Sequence, residues 1–290
     1  MASDTKIIES GNRKRTRKSK TNFLYSTFFL KKNKSNALNS IYSFCRISDD
    51  IVDEENTSLE KKAVKFNNWK NEFIESINGR PSGNFLTYLN KIIIDYNIDK
   101  KYFLDLLKGM EMDLNRREFL NFNDLYEYCL CVASTVGLIF ISIMENKTPE
   151  TIEYAINLGV ALQLTNILRD IRKDALNGRI YIPKTDLEMF QYTKEDIINN
   201  KYNDNFKNLM KFEIQRAKSF YDKAHEILKK SDFKIMLPAL IMDSTYFNIL
   251  KKIDRLNYDI YSNEIRLSKF RKIFISFQVY LNTILTGIND

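Results

Sequence analysis

The chain is poor in the residues that usually carry simple functional signatures. Its 290 residues include one histidine (His225), three cysteines (Cys45, Cys129 and Cys131), one tryptophan, four prolines and eight glycines. With so few Cys and His at such spacing, neither a zinc site nor a disulfide framework is expected, and a reducing compartment is the simplest setting. No Gly/Ser-rich or Pro-rich stretch marks a linker, so one domain is expected. No solenoid-type repeat is present. Period-two alternation is missing over any useful length, which argues against sheet. No run of about 20 consecutive apolar residues is found, so no bilayer span is expected. Residues 1–20 are polar and do not read as a signal peptide. The most apolar end segment, Lys272 to Leu285 ("KIFISFQVYLNTIL"), reads as a core helix.

What the chain does have is helical period and positive charge. It is 44% hydrophobic and 28% charged, with a formal net charge of +8. That composition is globular and large enough for a sizeable core. Much of the excess charge lies in "RKRTRKSK", Arg13 to Lys20, so residues 1–18 are expected to form a basic N-terminal arm. Solvation, or contact with anionic lipid or a phosphorylated ligand, suits such an arm. No nucleic-acid-binding motif follows it, so nucleic acid is not an expected partner. Apolar residues recur at three and four over roughly 35–55, 58–78, 84–95, 99–118, 123–146, 150–175, 205–230, 234–262 and 267–286. Breaks fall at Asn78 to Gly83 and at Thr148-Pro149, where proline suits a first helical turn. Residues 176–204 read as the longest irregular stretch. These features predict an all-α protein with long helices around a central space.

The stretch "YSFCRISDDIVDE", Tyr42 to Glu54, carries an acidic crowd in an otherwise apolar helical pattern. On a helix, Tyr42, Arg46, Asp49 and Asp53 fall within an arc of about 60°. Asp49 and Asp53, one turn apart, repel each other unless a cation joins them. A hard divalent ion suits such oxygens and usually keeps waters and substrate phosphates as its other ligands. In "LQLTNILRDIRKD", Leu162 to Asp174, the residues Gln163, Asn166, Asp170 and Asp174 share one face. Their flanks, Leu164, Ile167, Leu168 and Ile171, are apolar, which points to a cavity. Asp pairs at this spacing also arise by chance. Asp95 and Asp99 are such a pair and are assigned to the surface. The two pairs above differ in having arginine close by: Arg46, Arg169, Arg172 and Arg179, with Lys173, suit diphosphate oxygens.

These motifs resemble those of the squalene/phytoene synthase family, most closely bacterial phytoene synthase. "YSFCRISDDIVDE" is similar to the family's first aspartate motif. "GMEMDL" (Gly109 to Leu114) and "YCLCVASTVG" (Tyr128 to Gly137) are similar to two helix signatures. "QLTNILRDIRKDALNGRIYIP" (Gln163 to Pro183) is similar to the second aspartate motif. Tyr246 and Arg266 fall where the family often carries tyrosine and arginine. Departures are Asn22 and Lys31 near the entry, and Arg172-Lys173 where the family often has Gly-Glu.

The resemblance implies a single-domain isoprenoid-synthase-type helical bundle around a central cavity, with residues 19–290 as the catalytic domain. It implies a prenyltransferase that joins two geranylgeranyl diphosphates head to head through a cyclopropyl diphosphate to give phytoene, in carotenoid biosynthesis. Squalene or dehydrosqualene synthesis from two farnesyl diphosphates is the alternative. A non-catalytic role in respiratory-complex assembly is the alternative of another class. Asp49, Asp53, Asn166, Asp170 and Asp174 would hold Mg²⁺, with Mn²⁺ as a substitute, and NADPH would be needed only for squalene. Tyr42 and Tyr181 would join the aspartates in catalysis. Phe23, Arg46, Tyr128, Gln163, Asn166, Arg169, Arg179, Tyr246 and Arg266 would bind substrate. Phe28, Phe29, Phe44, Val132, Ala133, Val136 and Gly137 are candidate tunnel walls or plain core. His225 is not expected to act as the base. Expected partners are prenyl diphosphates, a membrane surface touched peripherally and downstream pathway enzymes, with a cytoplasmic location. Tail length, final product and oligomeric state stay open.

Overall fold

A computed structural model describes residues 30–286. The basic arm, Phe23, Phe28 and Phe29 lie outside the described residues. The described chain is helical: α1 Lys32–Val52, α2 Leu59–Ile77, α3 Gly83–Asp95, α4 Lys100–Leu114, α5 Phe122–Cys129, α6 Thr135–Met144 and α7 Pro149–Leu176. Then follow α8 Lys184–Met189, α9 Lys194–Ile198, α10 Asp204–Ile227, α11 Phe233–Arg255 and α12 Lys269–Thr286. A π-helical turn, Leu130–Ser134, joins α5 to α6.

Local chemistry explains the boundaries. Thr148 and Thr151 form a capping box, and Pro149 occupies the first turn of α7, where its missing N–H costs nothing. Ser58, Asp99, Asn121 and Asn203 each accept a backbone N–H at a helix start. Asp99 is thus a cap, and Asp95 is exposed, as the surface assignment expected. Residues 176–204 contain two short helices, α8 and α9, instead of one irregular stretch. Each spans under two turns, too short to show a helical period, and α9 is set by a Thr193/Asp196 capping box.

Helix α7, at 28 residues, is the central strut. It packs against α10, α6, α11 and the π-helical turn. One apolar cluster gathers around α7 and α10; a second gathers α1 to α4 around Phe44, Phe66, Phe73 and Phe103. Phe44 belongs to that second core. Close approach of α7 to the π-helical turn needs Gly159: a Cβ there would stand 2.6 Å from Ser134 Cα.

One expectation is refined and one is corrected. The continuous helical run Phe122–Met144 is long and apolar enough to cross a membrane by length and composition. It is nevertheless the buried partner of α4 and α7, with Ile139, Ile141 and Ile143 almost fully covered. Conversely, Lys272 to Leu285 is not a core helix: most of its large apolar side chains face outward.

Candidate active site

Helix α1 turns Cys45, Asp49, Val52 and Asp53 toward a cleft of about 290 Å³. The facing wall is α7, with Gln163, Asn166, Ile167, Arg169, Asp170, Lys173 and Asp174. Asp113, Tyr128, Arg179 and Tyr181 complete the polar part, and Leu106, Met110, Val132 and Val136 the apolar part. Both aspartate pairs therefore face one hollow. Val136 is shared with a second cavity, lined almost entirely by apolar groups that include Ala133, Gly137, Phe140, Leu158 and Leu162. The predicted tunnel residues Val132, Ala133, Val136 and Gly137 divide between these two spaces, which share Val136 as a wall.

The electrostatics are those of crowded anions. Burial, then the Asp53 charge, pushes the Asp49 carboxyl up to about 7, with Arg46 opposing. Burial, then Asp170, pushes Asp174 up to about 7. Arginines answer part of this charge. Arg179 donates to Asp53 at 2.7 Å, and the Arg169 guanidinium forks onto both oxygens of Asp170. The backbone N–H of Arg179 donates to the Asp174 carbonyl at 2.9 Å, which ties the loop after α7 to the aspartate helix.

Asp113 is the site residue that sequence reasoning passed over. It lies in "GMEMDL" on α4, one helical face with Leu106 and Met110, and that shared face was the available signal. The Tyr181 hydroxyl donates to it at 2.6 Å and the Tyr128 hydroxyl at 2.9 Å. Burial raises Asp113 to about 6, against the lowering effect of Tyr181 and Arg179. Burial and the Asp113 charge in turn hold the Tyr181 phenol well above its ordinary value. Phe119 packs on both tyrosine rings, so the two phenols are fixed in place.

Other sequence candidates sit elsewhere. Arg46 does not line the cleft: it is exposed and pairs with Asp50 at 2.7 Å. The cleft-facing stripe of α1 begins at Cys45, so Arg46 points one position away from it. Tyr42 is half-buried and is not among the lining residues. Tyr246 is not among the lining residues and bears on the site only through its electrostatic interaction with Arg169. Arg266 pairs with Glu264 at 3.0 Å and borders a neighbouring groove that also touches Arg169 and Asp170. Arg172 is spent on the backbone carbonyl of Tyr261 at 2.8 Å. His225 is remote and pairs with buried Asp243 at 2.6 Å.

A hard cation fits this donor set. The Asn166 Oδ1 atom is buried, lines the cleft and has no hydrogen-bond partner. Such an orphan acceptor calls for a cation or donor. Among the described residues, no three His, Cys, Asp or Glu side chains form a closed cluster. The carboxylates come as pairs on two facing helices, so an ion there would complete its shell with Asn166 and diphosphate oxygens.

The squalene/phytoene synthase family model matches residues 16–271. The chain belongs to the squalene/phytoene synthase family. It is 34% identical over 256 residues to the phytoene synthase of Arthrospira platensis, covering 83% of this chain and 82% of that protein. It is 32% identical over 257 residues to a chloroplastic phytoene synthase of an Oncidium hybrid cultivar, covering 87% of this chain. The match takes in 62% of that plant protein, so the chain spans about six-tenths of the relative's length. A crystal structure of a dehydrosqualene synthase with bound ligand shares the fold, at a TM-score of 0.82 and 23% identity over 97% of this chain and 98% of that one. The family typically uses Mg²⁺.

Proposed function

We propose that the protein condenses two geranylgeranyl diphosphates head to head to phytoene. The observation that carries this reading is an aspartate-lined polar cleft set beside an apolar cavity, with Val136 as their shared wall. One end suits diphosphates, the other a hydrocarbon tail, and each buried CH₂ contributes about 0.8 kcal/mol. The likeness to phytoene synthases favours the twenty-carbon substrate.

Asp49, Asp53, Asn166, Asp170 and Asp174 would hold Mg²⁺, which offsets the negative charge that grows on a departing diphosphate. Arg169 and Arg179 trade their carboxylate partners for diphosphate oxygens when substrate enters, which orients the allylic C–O bond. That bond breaks, and C1 of the first chain bonds to the alkene of the second. Loss of a proton closes a cyclopropyl ring that keeps one diphosphate. Departure of this second diphosphate, rearrangement and loss of another proton give phytoene, with no reductant consumed. The ring faces of Tyr128 and Tyr181 stabilise the cations. Both phenols keep their protons, because burial and Asp113 raise their pKa values. They are therefore hydrogen-bond donors and not bases, and the released diphosphate takes the proton in this reading. The apolar walls exclude water, which would quench a carbocation. A cytoplasmic location suits this chemistry. The non-catalytic alternative is disfavoured because all four motif aspartates are present and face the cleft.

The test is incubation of purified protein with Mg²⁺ and geranylgeranyl or farnesyl diphosphate, with and without NADPH, followed by identification of the hydrocarbon. Phytoene formed without NADPH is expected. Only thirty-carbon product would overturn the tail-length assignment, and no turnover of either substrate would overturn the enzyme reading.

A further inference from the structure

Helix α12 is built inside out. Phe270, Ile273, Phe274, Phe277, Leu281 and Leu285 are all exposed, from 41% to 86%. At about 100° per residue they fall in one arc of roughly 120°. The opposite side is the buried one, yet Ser276 and Thr283 lie there beside Ile275. Those two hydroxyls donate back to the helix's own carbonyls, at 2.9 Å each. A helix docked only on its own protein would be turned the other way. Among the described residues nothing covers the apolar arc.

We infer that this face of α12 docks on the surface of an anionic phospholipid bilayer. The charge pattern supports lipid over protein. No acidic residue occurs between Ile265 and Asn289, and Lys269, Arg271 and Lys272 gather at the start of the helix. Lys269 and Arg271 fall to either side of the apolar arc, each about 100° from its centre. Aromatic and branched side chains on one face with cations at its edges are the pattern of an interfacial helix. The Arg271 guanidinium lies 5.7 Å from the Phe274 ring, at the boundary where headgroups meet acyl chains. The patch amounts to on the order of 500 Å², short of the roughly 800 Å² per partner of a standard protein interface.

The position of α12 gives such docking a use, on the reading of function above. Helix α12 packs on α11, whose Pro238, Ala239 and Met242 line the apolar cavity. Lys272 lies within electrostatic reach of Arg169 in the polar cleft. Docking through α12 therefore holds both spaces near the bilayer, from which amphipathic substrate enters and into which hydrocarbon leaves.

The test uses the full chain and vesicle co-sedimentation, with no turnover in the readout, so it stands or falls apart from the enzyme assay. Wild-type protein should bind phosphatidylcholine/phosphatidylglycerol vesicles more tightly than pure phosphatidylcholine, and binding should weaken with salt. The triple variant Phe270→Gln/Phe274→Gln/Phe277→Gln should lose about tenfold or more in partitioning. Its circular dichroism and elution volume should match wild type. Should that variant misfold, Lys269→Gln alone should still weaken binding to the anionic vesicles and not to the neutral ones. Absence of wild-type binding, as when residues 1–29 occupy the face, overturns the proposal. So does a triple variant that dissociates a dimer while binding vesicles as before.

Discussion

Raising the pH in the presence of a chelator should destabilise the protein, and the crowded carboxylates should account for most of the effect. Asp49 and Asp174 stand at about 7 and Asp113 at about 6, against 3.8 for an ordinary aspartate. Between those values the folded state holds protons that the unfolded chain has released. Stability is therefore greatest near pH 4 to 5, falls as pH rises through about 7, and levels off above. A tenfold difference in proton affinity between the folded and unfolded states is worth about 1.4 kcal/mol. Asp49 and Asp174 are only half-buried, and solvent screening reduces their share, so about 1 kcal/mol per carboxylate is a reasonable expectation. Three such groups give about 3 kcal/mol, or a fall in Tm of about 6–10 °C between pH 5 and 8. The assay is thermal unfolding followed by circular dichroism. Glu213, pushed up to about 8 by burial, and His225, raised by Asp243, add slopes of the same sign. The decisive quantity is thus the difference between wild type and Asp49→Asn/Asp174→Asn, which should be less pH-dependent. Mg²⁺ with inorganic diphosphate should recover Tm at pH 8 more than at pH 5, because protons compete with the cation. A wild-type Tm that is flat or rises over this range, or an unchanged slope in the variant, would refute the reasoning.

Three further outcomes are expected. Asp170→Asn should lower turnover by at least about a thousandfold with helical content unchanged, since it removes charge that the reacting diphosphate relies on; full activity in a product assay would remove the metal role. Gly159→Val should cost about 3 kcal/mol in a urea melt, because its Cβ would meet Ser134 Cα at 2.6 Å. Arg216→Met should cost about 3 kcal/mol by the same melt, since Arg216 is the cation shared by buried Asp186 and Glu213, at 2.6 and 2.7 Å.

Helical period made most of the fold readable, because α1, α4, α7 and α10 each run long enough for an apolar stripe to repeat. Helices α8 and α9 do not, and only α9 carries a side-chain cap to mark its start. Spacing brought Gln163, Asn166, Asp170 and Asp174 onto one face, and all four line the cleft. It could not rank the arginines. Arg46 is adjacent in sequence to the first aspartates but turns to Asp50, whereas Arg179 arrives from 126 residues away to meet Asp53. Asp113 escaped for a related reason: one of three acids on α4, beside Asp105 and Glu111, looks ordinary until Tyr128 and Tyr181 come from other elements to hold it. The outward face of α12 was hidden in the same way, since composition reports how apolar a helix is and not which side is covered.

The most direct measurement of the central claim is calorimetric titration of the protein with a non-reactive geranylgeranyl diphosphate analogue, with Mg²⁺ and with chelator. Tight binding that requires Mg²⁺, and that weakens by about a hundredfold or more in Asp53→Asn/Asp174→Asn, is the predicted result. Equal affinity in chelator, or undiminished Mg²⁺-dependent binding by the double variant, would contradict the assignment of a shared metal–diphosphate site between α1 and α7.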